Sequence, residues 1–73
     1  GSGMAVASVS TITSASPESW QDAIERGFDR ARKTLRNITG LQVLEEKARV
    51  EDGEIVEYLV TLQVIFVLEE SSD

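Results

Sequence analysis

The sequence predicts an α+β fold of one small domain with the element order β-α-β-β. Two β-type segments at 41–50 and 55–68 flank Asp52-Gly53, a pair typical of a tight hairpin because both positions tolerate positive φ. An amphipathic segment with three- and four-residue apolar spacing precedes them and indicates a helix. A short segment at 5–13, partly β-branched, opens the domain as the first strand.

The length of the chain points to self-association. Of the 73 residues, 1–3 (Gly-Ser-Gly) are interpreted as an expression-tag remnant and 4–73 as a single domain. A core of this size rarely supplies more than about 3–5 kcal/mol, so small domains commonly add disulfides, a metal or oligomerisation. The chain has no Cys and no His, which excludes disulfides and argues against a zinc-type site. We therefore expect a homo-oligomer without a structural metal.

Charge and composition exclude several classes of function. The net charge of −6 repels phosphate groups, so neither nucleic acid nor an anionic membrane is an expected partner. No apolar run approaches the roughly 20 residues of a membrane span, and no signal-peptide pattern precedes Met4. We expect a cytoplasmic protein. Without His or Cys, and with no Ser or Thr in a catalytic motif, we expect no enzymatic activity and no catalytic residues.

The helix is expected to begin at Ser16-Pro17-Glu18. Ser can cap the free amides, Pro fits the first helical position and Glu meets the positive end of the dipole. A helix of about 19 residues would end at Asn37 to Gly40. Its apolar stripe contains Trp20, Ala23, Ile24, Gly27, Phe28, Ala31 and Leu35. Trp20 is interpreted as the first core residue of this stripe, with an aromatic ligand platform as the alternative.

The last strand carries apolar residues on both faces. One face is wholly apolar, with Val56, Tyr58, Val60, Leu62, Val64, Phe66 and Leu68. The opposite face includes Leu59, Ile65 and Val67, and a single helix can cover only one face of a sheet. We predict that these three residues form an oligomer interface, with Leu41 and Val43 nearby on the second strand. The alternative is that they are scattered surface residues of the ordinary kind.

Three stretches of the chain resemble the dodecin family. Ser16-Pro17-Glu18-Ser19-Trp20 with Ala23 is similar to its helix start, and residues 31–37 (Ala-Arg-Lys-Thr-Leu-Arg-Asn) are similar to its helix end. The final hairpin is similar from Val50-Glu51-Asp52-Gly53 through Tyr58, Val60-Thr61-Leu62, Val64, Phe66 and Leu68-Glu69. The resemblance covers almost all of the chain from Ser16 to Glu70.

This resemblance implies a three-stranded antiparallel sheet wrapped around the helix, with twelve copies closing into a hollow oligomer. It also implies a non-enzymatic role in binding or storing flavins, which stack in pairs between aromatic side chains. Some members are associated with coenzyme A or calcium. A dodecameric homo-oligomer with a small-molecule ligand is therefore expected, and FMN or riboflavin is the cofactor that the family suggests.

The family's flavin-contacting positions are altered in this chain. Gly40 stands where the family has its stacking Trp, and Leu59 stands where it commonly has a Gln that binds the flavin edge. Glycine has no π face, and leucine cannot pair with a ring imide. Ile65 and Val67 replace a Gly and an Arg common in the family. We therefore expect a dodecin-like oligomer whose flavin site at Gly40 and Leu59 is degraded. The alternative is a purely structural self-assembling shell or scaffold.

Two charged groups allow more than one interpretation. The basic residues of the helix (Arg26, Arg30, Arg32, Lys33 and Arg36) are expected to complement its C-terminus, with a phosphate site between subunits as the alternative. The acidic residues Glu51, Asp52, Glu54, Glu57, Glu69, Glu70 and Asp73 are expected to be solvated surface. Coordination of a hard cation is the alternative for this acidic group.

Overall fold

The computed structural model describes residues 4–70, and it describes the side chains of residues 6–68. The elements are β1 (Met4–Ser16), α1 (Trp20–Arg32), β2 (Ile38–Glu51) and β3 (Glu54–Glu70). The strands form one antiparallel sheet in the order β1-β3-β2, so β3 is central. The predicted β-α-β-β order is confirmed. The predicted tag remnant at residues 1–3 lies outside the described residues.

The hairpin between β2 and β3 turns at Asp52-Gly53, as predicted. Asp52 has φ 52° and Gly53 has φ 77°, and this pair of positive φ values matches the twist of the flanking strands. On the other side of β3, the pairing with β1 runs without interruption from Met4 opposite Glu70 to Ser16 opposite Tyr58.

The core lies between α1 and one face of β1 and β3. Ala23, Val60 and Leu62 are buried together, and Ile12, Trp20 and Ile24 pack around them. Gly27 permits this close approach of the helix to the sheet. A Cβ at Gly27 would lie 3.1 Å from both Leu62 Cδ1 and Ser14 Cβ, which is closer than packed carbon atoms normally come.

The helix begins later than predicted. Its N-cap is Ser19, whose backbone is extended and whose hydroxyl accepts from the Asp22 amide at 3.0 Å. Ser16, the predicted cap, is still paired with Tyr58 in the sheet. The Ser16 hydroxyl instead donates to Asp22 Oδ2 at 2.6 Å and accepts from the Glu18 amide at 3.0 Å. Ser16 therefore joins the end of β1 to the first turn of α1.

The helix also ends earlier than predicted, so it has 13 residues instead of about 19. The amides of Thr34 and Leu35 both donate to the carbonyl of Ala31, which closes the last turn. Asn37 then adopts a left-handed φ of 60°, and β2 begins at the next residue. A helix of this length spans about 20 Å, whereas the molecule is 61 Å long. Only the middle of the sheet is covered.

A β-bulge changes the predicted faces of β2. The register shifts between Val43 and Glu45, so the residues on either side of the bulge no longer alternate regularly. Leu41 lies opposite Val64 and Val43 lies opposite Leu62, which places both on the face of the sheet that α1 covers. The prediction that Leu41 and Val43 lie near the uncovered apolar face is therefore wrong.

Candidate functional site

The side of the sheet away from α1, here called the open face, carries the candidate site. Ile65 of β3 lies between Val9 of β1 and Gly40 of β2 in the sheet, and Val67 lies opposite Ala7. Ile65 and Val67 are half-buried, and Val9 is 54% exposed. This end of the open face is a small apolar surface that α1 does not cover.

Gly40 lies directly beside Ile65. A Cβ built at Gly40 would lie 3.5 Å from Ile65 Cδ1 and 3.9 Å from Ile65 Cβ. These are ordinary van der Waals distances, so Gly40 could carry a side chain without forcing its neighbour to move. A larger group at Gly40 would lie alongside Ile65.

Leu59 is remote from Gly40 within one chain. It lies opposite Ala15 and Lys47, six positions along β3 from Ile65. At about 3.3 Å per residue, this separation is about 20 Å. The intervening part of the open face is polar, with Thr11, Thr13, Gln42, Glu45, Thr61 and Gln63. The structure thus brings Gly40 and Ile65 together, with Val67 nearby, and leaves Leu59 apart.

The hairpin end of the open face is charged. Arg49 Nε donates to Glu57 Oε1 at 3.1 Å, and Arg49 also contacts Glu51. The hydrogen bond to Glu57, followed by that to Glu51, raises the pKa of Arg49. Lys47 Nζ lies 3.4 Å from Glu45 Oε1. These basic groups are paired with acids of the same face.

Trp20 belongs to the core side of the sheet. Its ring meets the Tyr58 ring edge to face, with centroids 4.9 Å apart and an interplanar angle of 78°. Its Nε1 donates to the Lys47 carbonyl at 2.9 Å, which joins α1 to β2. Trp20 also packs against the core cluster, so its interpretation as the first core residue of the helix stripe is confirmed.

The basic residues predicted for the helix fall into two groups, and two of them, Lys33 and Arg36, lie beyond its end at Arg32. Arg26 bonds Asp22 Oδ2 through Nε at 2.5 Å, and Arg32 lies 4.0 Å from Asp29 and over the Phe28 ring. Among the described side chains, no acid forms a salt bridge with the three others, which are Arg30, Lys33 and Arg36.

Asp22 is the acidic centre at the start of α1. The hydrogen bond from Ser16, together with that from Arg26, lowers the pKa of Asp22. The carboxylate thus accepts hydrogen bonds from Ser16 at the end of β1 and from Arg26 in the second turn of the helix, and it connects the two elements.

Metal and membrane sites are not indicated by the described part of the chain. Residues 6–68 contain no group of three or more Asp, Glu, His or Cys side chains arranged to hold a metal ion. Within residues 4–70, α1 is too short and too polar to cross a membrane.

The sequence did not predict a groove at the C-terminal end of α1. Residues 34–37 and 66–68 line this groove, whose volume is about 320 Å³. It exists because the helix ends at Arg32, whereas the apolar spacing through Leu35 suggested a longer helix. Asn37 was the available signal, because Asn tolerates the left-handed conformation that ends such a loop.

Comparisons with known proteins agree with this geometry. The family model described as Dodecin matches residues 6–69. A dodecin of Thermus thermophilus is 37% identical over 60 residues, which are 82% of this chain and 87% of that protein. The structure of dodecin from Streptomyces coelicolor superposes with a TM-score of 0.85 at 30% identity, covering 92% of this chain and 96% of the other.

A second solved structure, the calcium-chelating calcium dodecin of Mycobacterium tuberculosis, has a novel calcium-binding site. It matches with a TM-score of 0.76 at 32% identity, covering 93% of this chain and 97% of the other. The family match spans both the helix and all three strands. The chain belongs to the dodecin family.

Proposed function

We propose that this chain is a non-enzymatic, cytoplasmic dodecin that binds or stores a small molecule as a homo-oligomer, and that its flavin site is degraded. The observation that carries the proposal is the apolar end of the open face. Ile65 lies there between Val9 and Gly40, with no cover from the chain's own helix.

Self-association follows from the uncovered apolar surface. α1 packs on the opposite face and spans about one third of the length of the molecule. Apolar side chains that remain open on a small domain favour contact with another copy. Ile65 and Val67 are proposed as interface residues together with Leu59, and the family suggests that twelve copies assemble.

The ligand site would have to be shared between copies. Gly40 and Leu59 are separated by about 20 Å along the sheet of one chain, so one small molecule could reach both only if two chains contribute. Gly40 offers no ring for stacking, and Leu59 offers no hydrogen bond to a polar edge. FMN and riboflavin are therefore not the ligands that we expect at these positions.

A second candidate function is a structural shell without a small-molecule ligand. The contact between Ile65 and the Gly40 position favours it, because the isoleucine side chain borders the space that an aromatic side chain would need. If neighbouring copies pack on Ile65, the interface buries the apolar surface and leaves none of it for a ligand. Binding of a non-flavin ligand by the intact oligomer would separate the first function from the second.

Light scattering tests the assembly. At low micromolar concentration we expect a mass several times the 8.0 kDa of one chain. Ile65→Lys should shift the mass toward the monomer, because a charge would be buried without a partner. Gln21→Lys adds the same charge on the exposed side of α1 and should leave the mass unchanged. A stable monomer of the unmodified protein would contradict the proposal.

A further inference from the structure

The groove at the C-terminal end of α1 combines apolar and cationic groups. Its walls are the loop of residues 34–37 and the end of β3 at residues 66–68. Two bonds hold these walls together: the Val67 amide donates to the Asn37 carbonyl at 3.1 Å, and Asn37 Nδ2 donates to the Val67 carbonyl at 3.4 Å. These hydrogen bonds fix the loop against β3, so the fold of a single chain defines the shape of the groove.

The groove has an apolar lining that residues 6–68 leave partly open. Leu35 and Phe66 are half-buried, and Leu68 is 52% exposed. Val6, which lies opposite Leu68 in the sheet, is also exposed. This surface is uncovered because α1 ends at Arg32 and the sheet continues beyond it.

The segment that leads from α1 into the groove is basic. Residues 30–36 contain four basic residues and no acid, in a chain whose net charge is −6. Arg30 and Arg32 lie in the last turn of α1, where they already complement the negative end of the helix dipole. Arg36 lies four residues beyond the helix and lines the groove. Among the side chains of residues 6–68, no acid forms a salt bridge with Arg36, so its charge can meet an anionic group above the apolar lining.

We propose that this groove binds a single-chain amphiphile with one anionic head, with Arg36 at the head and Leu35, Phe66 and Leu68 along the chain. A volume of about 320 Å³ would hold about ten water molecules at roughly 30 Å³ each, and thus a ligand with about ten non-hydrogen atoms. Octanoate has this size. All the residues that line the groove belong to one chain, so the site needs no side chain from another copy, and Val67 is the residue that it shares with the proposed interface.

Calorimetric titration with octanoate, octyl phosphate and neutral 1-octanol tests the site. We expect one octanoate per chain with a dissociation constant below about 1 mM, and binding of 1-octanol at least about tenfold weaker. Octanoate binding more tightly would identify a carboxylate head, and octyl phosphate binding more tightly a phosphate head. Either result supports the shared anionic chemistry. Equal binding of octanol and octanoate would overturn the role of Arg36.

Matched variants locate the site. Arg36→Gln should weaken octanoate binding about tenfold, whereas Arg30→Gln, the same change outside this groove, should alter it less than about twofold. Leu68→Gln should weaken binding several-fold. Ile55→Gln should not, because Ile55 is equally exposed at the other end of β3. Equal losses in Arg36→Gln and Arg30→Gln would indicate unspecific charge attraction and would overturn the site.

Two further results separate this inference from its competitors. The dissociated Ile65→Lys protein should still bind octanoate, so failure of the assembly proposal would leave the groove testable. The absence of saturable binding by the unmodified chain would overturn the proposal.

Discussion

At the scale of single residues, two buried serines on β1 differ in their hydrogen bonds. Ser14 is 5% exposed and Ser16 is 1% exposed, and both point to the helix side of the sheet. Ser16 donates to Asp22 and accepts from the Glu18 amide. Within the described residues, Ser14 Oγ is the buried side-chain oxygen without a partner. A buried hydroxyl without a partner loses its bonds to water and regains none.

This contrast predicts opposite effects of one substitution. Ser14→Ala should raise the free energy of unfolding by up to about 1 kcal/mol, because it removes an unpaired hydroxyl and leaves the Cβ in place. Ser16→Ala should lower it by about 1–2 kcal/mol, because it leaves the Asp22 carboxylate and the Glu18 amide without that partner. Urea unfolding of both variants at one chain concentration measures the difference. Changes of the same sign would show that the Ser14 hydroxyl has a partner.

At the scale of elements, the strands and the hairpin could be predicted because they depend on local rules. Alternating apolar residues mark β3, and Asp52-Gly53 supplies the two positive φ values that the turn requires. The start of the helix could not be predicted in the same way. Ser16 and Ser19 are both good caps, and the choice depends on contacts distant in sequence: Ser16 is paired with Tyr58 in the sheet and its hydroxyl bonds Asp22, which leaves Ser19 as the cap.

The prediction of which residues share a face of β2 failed for a related reason. A bulge at residues 43–45 has no distinctive sequence signal here, yet one extra residue places the side chains before it and after it on opposite faces. Leu41 and Val43 precede the bulge, so they do not share the face of Glu45 and Lys47 and were assigned to the wrong side. Ile65, Val67 and Leu59 lie on a strand whose alternation is regular, and their common face could be predicted. Their role as interface residues stays a prediction.

The hydrogen bonds of Asp22 that connect β1 to α1 should weaken in acid. The folded pKa of Asp22 lies below the ordinary value of 3.8, because Ser16 and Arg26 bond the ionised form. A lowered pKa contributes stability above the unfolded pKa, and this contribution disappears as the pH falls through the folded value. We therefore expect the melting temperature to fall more steeply below about pH 4 than in Asp22→Asn.

Thermal unfolding followed by circular dichroism between pH 2.5 and 6 measures this effect. Asp29→Asn is the matched control, because Asp29 is exposed and lies 4.0 Å from Arg32. This variant should keep the steep acid dependence of the unmodified protein. Identical pH profiles for Asp22→Asn and the unmodified protein would show that Asp22 does not contribute to the acid dependence of the melting temperature.

At the scale of the whole molecule, the short helix determines which surfaces are available. The sheet is much longer than α1, so the helix side is covered in the middle and open at the end near Leu68. The open face has an apolar end at Val9 and Ile65, a polar middle and a charged hairpin end. We expect copies to meet through the apolar end. Burying the polar middle in an interface would cost free energy, because its side chains would lose their hydrogen bonds to water.

The whole assembly also decides whether flavin can bind. Stacking on an aromatic side chain contributes about 1–3 kcal/mol per contact, and a hydrogen bond to the ring edge about 1 kcal/mol. The absence of both at Gly40 and Leu59 should weaken affinity at least tens-fold relative to a site that has them. We expect low-micromolar protein to leave riboflavin and FMN fluorescence essentially unquenched. Strong quenching would indicate a different aromatic platform, with Trp20 and Tyr58 as the first candidates.

Restoring the two groups tests whether space for flavin persists. Gly40→Trp with Leu59→Gln should restore quenching if the new ring can lie beside Ile65. The first atom of the new side chain, a Cβ at Gly40, fits at ordinary contact distance from Ile65. Gly40→Leu with Leu59→Gln is the control, because it adds bulk without a π face. If the Trp-containing variant fails, adding Ile65→Gly removes the side chain that borders the ring. Quenching only in that triple variant would show that Ile65 closes the site. No quenching in any variant with an intact oligomer would show that contacts between copies fill the space, which favours the structural shell.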